Sequence, residues 1–190
     1  MGFFTDKVVI ITGSSNGIGR ATARMFAEAG AKITITGRNK ASLEETKNQC
    51  LAAGAKEEDI LEILADVGDD ETPKRIVDET VAKFGKLDVL INNAGMSLND
   101  PEDRLFMETP VQMLDEMVKV NLRAIVLFNQ NAVPHLMKTK GAIVNVSSIE
   151  GYPFAAQDIY YAVTKAGLDQ LTVQHASELA NKGVRVNSVK

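Results

Sequence analysis

Short apolar segments alternate along the chain with longer segments whose apolar residues recur every three or four positions. The short segments are rich in Val and Ile and almost continuously apolar, which is typical of strands covered on both faces. The longer segments have the period of amphipathic helices. We predict strands at residues 8–12, 32–36, 60–65, 87–92, 142–147 and 184–189. We predict helices at residues 18–29, 41–53, 73–84, 111–137 and 160–180.

This alternation predicts a doubly wound parallel α/β sheet, the Rossmann fold, with right-handed crossovers and strand order 3-2-1-4-5-6. The 190 residues, of which 45% are hydrophobic, suffice for one core, and no linker or repeat divides them. We therefore expect a single domain over residues 1–190. Because such sheets bind ligands beyond the carboxyl ends of their strands, we expect the functional residues there.

The composition narrows the class of protein further. A net charge of -4 leaves no strong positive field for nucleic acid. The single cysteine, Cys50, cannot form an intrachain disulfide, which fits a reducing cytoplasmic location. The first residues do not resemble a signal peptide or a lipid anchor, and no apolar segment is long enough to span a membrane. His135 and His175 lack neighbours at ligand spacing, so we expect no metal site.

A glycine-rich turn follows the first predicted strand, with the spacing Gly-x3-Gly-x-Gly at Gly13, Gly17 and Gly19. Such a turn lets the backbone approach a pyrophosphate, which then meets the free N–H groups at the start of the next helix. Glycines also serve ordinary tight turns, but the position between a strand and a helix favours a dinucleotide site. Its candidate residues are Gly13, Ser15, Asn16, Gly17, Ile18 and Gly19.

Two further motifs follow in order, Asn-Asn-Ala-Gly at residues 92–95 and Tyr-x3-Lys at residues 161–165. Together the three motifs resemble the short-chain dehydrogenase/reductase family, in its commonest subgroup, over residues 7–189. The amino-acid sequence around the glycine turn and the second predicted strand is similar to that of animal members labelled glucose-dehydrogenase-like or tropinone-reductase-like. The resemblance implies that Asp66 and Val67 meet an adenine ring. It also implies cofactor contacts at Asn93, Ala94 and Gly95, although this segment could serve only as a structural turn.

Tyr161 and Lys165 lie four positions apart in a predicted helix, so their side chains share one face. A carbonyl that receives a hydride needs a proton donor, and a phenol with a pKa of about 10 is poorly matched to neutral pH. A neighbouring cation favours the phenolate, and we therefore expect Lys165 to lower the pKa of Tyr161. In the resembling family the lysine also holds the nicotinamide ribose. A Tyr-x3-K spacing by itself also occurs in helices that only pack.

The resemblance adds two residues to this pair. The family's serine lies thirteen residues before the tyrosine, which selects Ser148, with its neighbour Ser147 as the less favoured choice. Its hydroxyl would bind the substrate oxygen. Asn121 corresponds to the asparagine that holds a water beside the lysine in a proton relay. A Ser-Ser turn and local packing of Asn121 are the structural alternatives.

The end of the second predicted strand bears on the choice of cofactor. NAD enzymes place an acidic residue there to bind the ribose 2′-OH, and this chain has Gly37 instead. Arg38 offers a planar guanidinium suited to a 2′-phosphate, with Asn39 as a second donor. We therefore predict NADP as the cofactor, with NAD less favoured. The alternative is that Arg38 is an ordinary surface charge.

These observations predict an NADP(H)-dependent enzyme that interconverts a small carbonyl compound and the matching alcohol. The alternative from another class is a nucleotide-sensing protein that has lost turnover. The resemblance implies a homodimer or homotetramer. It also implies a substrate loop and a seventh strand, neither of which occurs within these 190 residues, so the sixth strand is expected to lie at a sheet edge.

Overall fold

The computed structural model describes residues 2–97, 106–153 and 158–190. Its strands form one parallel sheet in the order β3-β2-β1-β4-β5-β6, which confirms the predicted Rossmann topology. The central strand β1 pairs with β2 on one side, Val9 opposite Ile33, and with β4 on the other, Val9 opposite Val89. The strands are β1 (Val8–Ile11), β2 (Lys32–Gly37), β3 (Ile60–Leu64), β4 (Val89–Asn92), β5 (Ala142–Val146) and β6 (Arg185–Val189).

Helices cover both faces of this sheet, and their bounds agree with the predictions to within two residues, apart from the long fourth segment. The helices are α1 (Gly17–Glu28), α2 (Lys40–Ala52), α3 (Thr72–Phe84), α4 (Val111–Val118), α5 (Ala124–Thr139) and α6 (Ile159–Leu179).

The helix predicted over 111–137 is not continuous. A π-helical turn, Lys119–Arg123, separates α4 from α5, and the helical path extends two residues further, to Thr139. Hydrophobic periodicity does not reveal this turn, because it displaces the pattern by only one residue. Its central residue is the candidate Asn121, which is fully buried.

Two apolar layers enclose the sheet. Val8 and Ile10 of β1 pack into one layer with Leu90, Ile143 and Phe128 among others. The alternate residues of β1 pack into the second layer, with α1 and α2 above them. Both faces of β1 are therefore buried, as its continuous apolar sequence predicts.

None of the helices in the described ranges combines the length and the apolar composition that a bilayer crossing needs. Within the same ranges β3 and β6 lie at the two edges of the sheet. The single-domain organisation, the cytoplasmic location and the homo-oligomer stay predictions.

Candidate active site

The turn between β1 and α1 needs all three of its glycines. Gly13 and Gly17 have positive φ angles of 65° and 50°, a conformation that side chains disfavour. A Cβ on Gly13 would lie 2.8 Å from the Cα of Ala94, and a Cβ on Gly19 would overlap the carbonyl of Gly13. The turn is therefore packed closely against the segment that follows β4, while its residues 16–18 are exposed to solvent.

Thr12 and Asn93 fasten this turn to the end of β4. The Thr12 hydroxyl accepts hydrogen bonds from the backbone N–H groups of Asn93 and Ala94, both at 3.0 Å. The Asn93 side-chain amide donates to the carbonyls of Thr12 and Gly13, at 2.8 and 3.0 Å. The Asn-Asn-Ala-Gly segment thus stabilises the glycine turn, in agreement with its interpretation as a structural turn. This role is compatible with a cofactor contact by the same segment.

A cleft of about 600 Å³ runs across the carboxyl ends of the strands, from the glycine turn to α6. It brings together every residue predicted to contact a cofactor, although these residues are spread along the sequence from Gly13 to Lys165. Those residues are Gly13, Ser15, Asn16, Gly17, Ile18, Gly19, Gly37, Arg38, Asn39, Asp66, Val67, Asn93, Ala94, Gly95, Tyr161 and Lys165. The cleft also contains Met96, Val146 and Ser147, which the sequence did not single out for this role.

Gly37 is required at the end of β2 for a steric reason as well. A Cβ there would overlap the Oγ of Ser15. This Oγ is buried and has no hydrogen-bond partner, which makes it an unused polar group beside the end of β2. An unpaired buried hydroxyl is costly, and a ligand that bound it would remove that cost.

Arg38 lies at the surface beside this strand end, with 72% of its side chain exposed and its guanidinium 3.6 Å from the Asp66 carboxylate. Asn39 caps α2, since its side-chain oxygen accepts a hydrogen bond of 2.9 Å from the Ser42 N–H. The cap leaves the amide nitrogen of Asn39 as the group that can donate to a ligand. The geometry therefore accommodates both predicted donors.

Lys165 is buried on α6, next to Tyr161. Its Nζ donates a 2.8 Å hydrogen bond to the carbonyl of Val146 at the end of β5, and lies 5.3 Å from the centre of the Tyr161 ring. Burial lowers the pKa of Lys165 to about 8, although the Asp169 carboxylate acts in the opposite direction. A buried amine with a lowered pKa is typical of catalytic sites.

The pKa of Tyr161 does not move in the predicted direction in this structure. Burial raises it, the nearby carboxylates of Glu150 and Asp158 raise it further, and a hydrogen bond with Ser148 lowers it in part. Lys165 is not among these influences, and its ammonium group is bonded to the Val146 carbonyl rather than to the Tyr161 hydroxyl. The prediction that Lys165 lowers the pKa of Tyr161 is therefore wrong for this arrangement. The two side chains are neighbours, but their surroundings favour the neutral phenol over the phenolate.

The structure separates the two candidate serines. Ser148 begins a short 3-10 turn, Ile149–Gly151, and its hydroxyl faces Tyr161. Ser147 is buried, and although it also lines the cleft, its hydroxyl lies 3.4 Å from the backbone carbonyl of Lys165. The orientation favours Ser148, the choice made from the resemblance.

The Asn121 side chain is fully engaged. Its oxygen accepts from the Met96 N–H at 2.9 Å, while its nitrogen donates to the Met96 carbonyl at 2.8 Å and to the Thr164 hydroxyl at 3.0 Å. These bonds join the segment that follows β4 to the helix that carries Lys165. The side chain acts here as a positioning group, and the proton relay through Asn121 stays a prediction.

Arg20 was overlooked in the sequence. It follows Gly19 in the first turn of α1, and its guanidinium donates to the carbonyl of Ser15 within the glycine turn. A signal was present, because a basic residue at a helix N-terminus opposes the helix dipole and therefore suggests a specific partner.

A parallel sheet with a glycine turn after its first strand, and a cleft that reaches a Tyr-Lys pair, defines a dinucleotide-binding oxidoreductase of the Rossmann class. The chain belongs to the short chain dehydrogenase family, whose model matches residues 7–190. The family predicted from the three motifs is thereby confirmed.

Several solved structures are similar to this chain over almost its whole length. A short-chain dehydrogenase/reductase of unknown function from Caenorhabditis elegans, solved with cofactor, has a TM-score of 0.95 and 45% identity over 98% of this chain and 69% of that one. The glucose dehydrogenase of the same organism has a TM-score of 0.89 and 47% identity over 98% of this chain and 73% of that one. A metagenomic short-chain oxidoreductase in complex with NADP has a TM-score of 0.89 and 29% identity, covering 97% and 81%.

Proposed function

We propose that this chain interconverts a carbonyl compound and the matching secondary alcohol with NADP(H), and that Tyr161 is the group that gives and takes the proton. The observation that carries the proposal is the cleft that joins the glycine turn, the end of β2 and the Tyr161 to Lys165 pair. A nicotinamide dinucleotide, when bound, would supply or accept the hydride.

The lining of the cleft fits such a cofactor. The glycine turn presents backbone N–H groups at the start of α1, which suits a pyrophosphate. Ser15, Gly37 and Arg38 would receive the adenosine ribose and its 2′-phosphate, and Asp66 with Val67 would border the adenine. NADP bound to the metagenomic relative supports the same choice here.

The acid-base chemistry is assigned to three side chains. The Tyr161 hydroxyl would donate its proton to the carbonyl oxygen during reduction and accept it during oxidation. The Ser148 hydroxyl, which already faces Tyr161, would hold that oxygen in place. Lys165 would help the phenol to ionise once its ammonium group turns from the Val146 carbonyl toward the cofactor.

Replacement of Tyr161 by Phe tests the assignment of the proton donor. The variant keeps the ring and its packing but lacks the hydroxyl, so turnover should fall about 10²-fold or more while NADPH affinity stays the same. Turnover is followed by the absorbance of NADPH with a panel of ketones, sugars and alcohols. Tyr160→Phe, one position away on α6, is the matched control and should keep most of its activity.

Retention of more than half of the wild-type rate in Tyr161→Phe would show that another group transfers the proton. A wild-type protein that binds NADPH tightly but turns over none of the compounds would instead favour the nucleotide-sensing alternative.

Replacement of Arg38 by Ala tests the choice of cofactor. A charge-assisted hydrogen bond contributes about 1.5 to 3 kcal/mol, so the variant should bind NADPH roughly ten- to a hundredfold more weakly and NADH almost unchanged. Fluorescence titration of both cofactors gives the two constants, and Arg75→Ala, an exposed pair with Glu79 on α3, serves as the control. Equal wild-type affinity for the two cofactors, or an equal loss of both, would contradict the assignment.

A further inference from the structure

Arg20 makes an unusually complete set of contacts for a residue outside the cleft. Its Nη2 donates to the carbonyls of Ser15 and Ser42, the second at 3.1 Å, and its Nε donates to the Thr46 hydroxyl at 3.0 Å. Its Nη1 lies 2.9 Å from the carboxylate of Glu45. Only 20% of the side chain is exposed. One guanidinium therefore joins the glycine turn to the first turns of α2.

Thr46 completes this arrangement from the side of α2. It is fully buried, and its hydroxyl lies 2.8 Å from the carbonyl of Ser14 and 3.1 Å from that of Ser42. We call Arg20 and Thr46 together the turn clamp. The turn clamp holds the carbonyls of two consecutive residues of the glycine turn at a fixed separation from α2.

The two parts joined by the turn clamp are the two sides of the proposed ribose pocket. On one side is Ser15, whose unpaired Oγ is adjacent to Gly37. On the other side is the start of α2, where Asn39 caps the helix through Ser42, directly after Arg38. The inner side of the glycine turn has separate anchors in Thr12 and Asn93. Loss of the turn clamp would therefore loosen the ribose pocket more than the pyrophosphate site.

We propose that Arg20, together with Thr46, is a positioning residue for cofactor specificity: it sets the preference for a 2′-phosphate by holding Ser15 at the correct distance from Arg38 and Asn39. The inference rests on the proposed use of NADP(H). The role is geometric, because the guanidinium is paired with the Glu45 carboxylate and its remaining hydrogen bonds go to neutral oxygen atoms of the turn and of α2. A forked guanidinium can serve these four acceptors in fixed directions, whereas a lysine ammonium is a compact charge with three donors on a flexible stem.

The experiment measures dissociation constants for NADPH and NADH in the wild type and in four variants. Arg20→Gln and Arg20→Lys should each weaken NADPH about tenfold and NADH less than threefold, since the anchors of the pyrophosphate side remain. Thr46→Val removes the hydroxyl at nearly constant volume and should change the ratio in the same direction. Thr46→Ser restores the hydroxyl and should return the ratio to within about twofold of the wild-type value.

Arg24→Gln is the matched control, because Arg24 lies one turn further along α1 and forms an exposed pair with Glu28. It should leave both affinities within about twofold of wild type. Full recovery of NADPH binding in Arg20→Lys would show a simple charge effect and overturn the proposal, as would equal losses for both cofactors. A wild-type preference that survives in Arg20→Gln overturns this inference alone. A wild type without any preference for NADPH overturns the proposed cofactor and this inference together.

Discussion

The buried charged groups at the amino-terminal and carboxyl-terminal ends of the sheet differ in how completely they are hydrogen-bonded and paired with opposite charges. At the amino-terminal end Asp88, only 4% exposed, accepts from the Val8 N–H at 3.0 Å and from the ammonium groups of Lys7 and Lys86 at 2.9 and 3.0 Å. Burial raises the pKa of Asp88, but these hydrogen bonds outweigh it, so its pKa is lowered overall. This charge is well satisfied and contributes to stability.

At the carboxyl-terminal end Lys165 is equally buried, at 3% exposed, but its hydrogen-bond acceptor is the neutral carbonyl of Val146. Its pKa falls to about 8, and at the same end of the sheet the buried Oγ of Ser15 has no hydrogen-bond partner. One end of the sheet is built for stability, and the other keeps polar groups poorly satisfied. Such groups are a cost to the folded chain that a bound ligand can offset.

The largest expected effect is that of Lys165→Met, which should change activity and stability in opposite directions. Turnover should fall at least about 10²-fold, because the proposed stabilisation of the phenolate is lost. The free energy of unfolding should rise by about 1 to 3 kcal/mol near neutral pH. The upper value is the free energy that corresponds to the fall in the pKa of Lys165 from 10.5 to about 8. The lower value allows for the cost of leaving the Val146 carbonyl without its hydrogen bond.

The pH dependence of the stability gained in Lys165→Met tests whether the gain comes from removing a buried charge. The pKa of Lys165 is lower in the folded chain than in the unfolded chain, so between pH 8 and 10.5 the unfolded chain binds more protons. Wild-type stability should therefore rise with pH across this window, and the advantage of Lys165→Met should shrink. Urea unfolding at several pH values measures it, with the exposed Lys182→Met as control. A gain that persists above pH 10.5, or no gain below pH 8, would contradict this explanation.

A smaller effect, of the opposite sign in stability, is expected for Asp88→Asn. The variant should lose about 2 kcal/mol at neutral pH, because hydrogen bonds to a charged group become bonds to a neutral one. The pKa of Asp88 is lowered in the folded chain, so its contribution is complete above 3.8 and disappears as the pH falls through the folded value. Thermal unfolding between pH 2 and 7 tests this.

Asp78→Asn, which alters an exposed pair with Lys74, should cost less than about 0.5 kcal/mol and provides the comparison. Cofactor affinity should not change in Asp88→Asn, because Asp88 lies at the end of the sheet away from the cleft. A marked loss of NADPH binding would show that the two ends are not independent.

The sequence was sufficient for much of the site because the decisive patterns are local. The glycine spacing and the Tyr161 to Lys165 spacing each fall within one turn or one helix, and the structure brings both into the same cleft. The π-helical turn at Asn121 was missed because one extra residue in a helical turn leaves little trace in an apolar pattern. Arg20 was missed because, apart from Ser15, its partners belong to α2, more than twenty positions away.

The sequence by itself determined the order of strands and helices, since periodicity is a property of neighbouring positions. Its three motifs, through the resemblance they carry, also indicated the family and the predicted cofactor residues that line the cleft. Only the tertiary structure decided that Ser148 rather than Ser147 faces Tyr161, that Lys165 is bonded to Val146, and that burial raises the pKa of Tyr161. The reason is physical. Hydrogen-bond partners and desolvation depend on which distant segments meet in space, and a buried group's pKa follows from those partners.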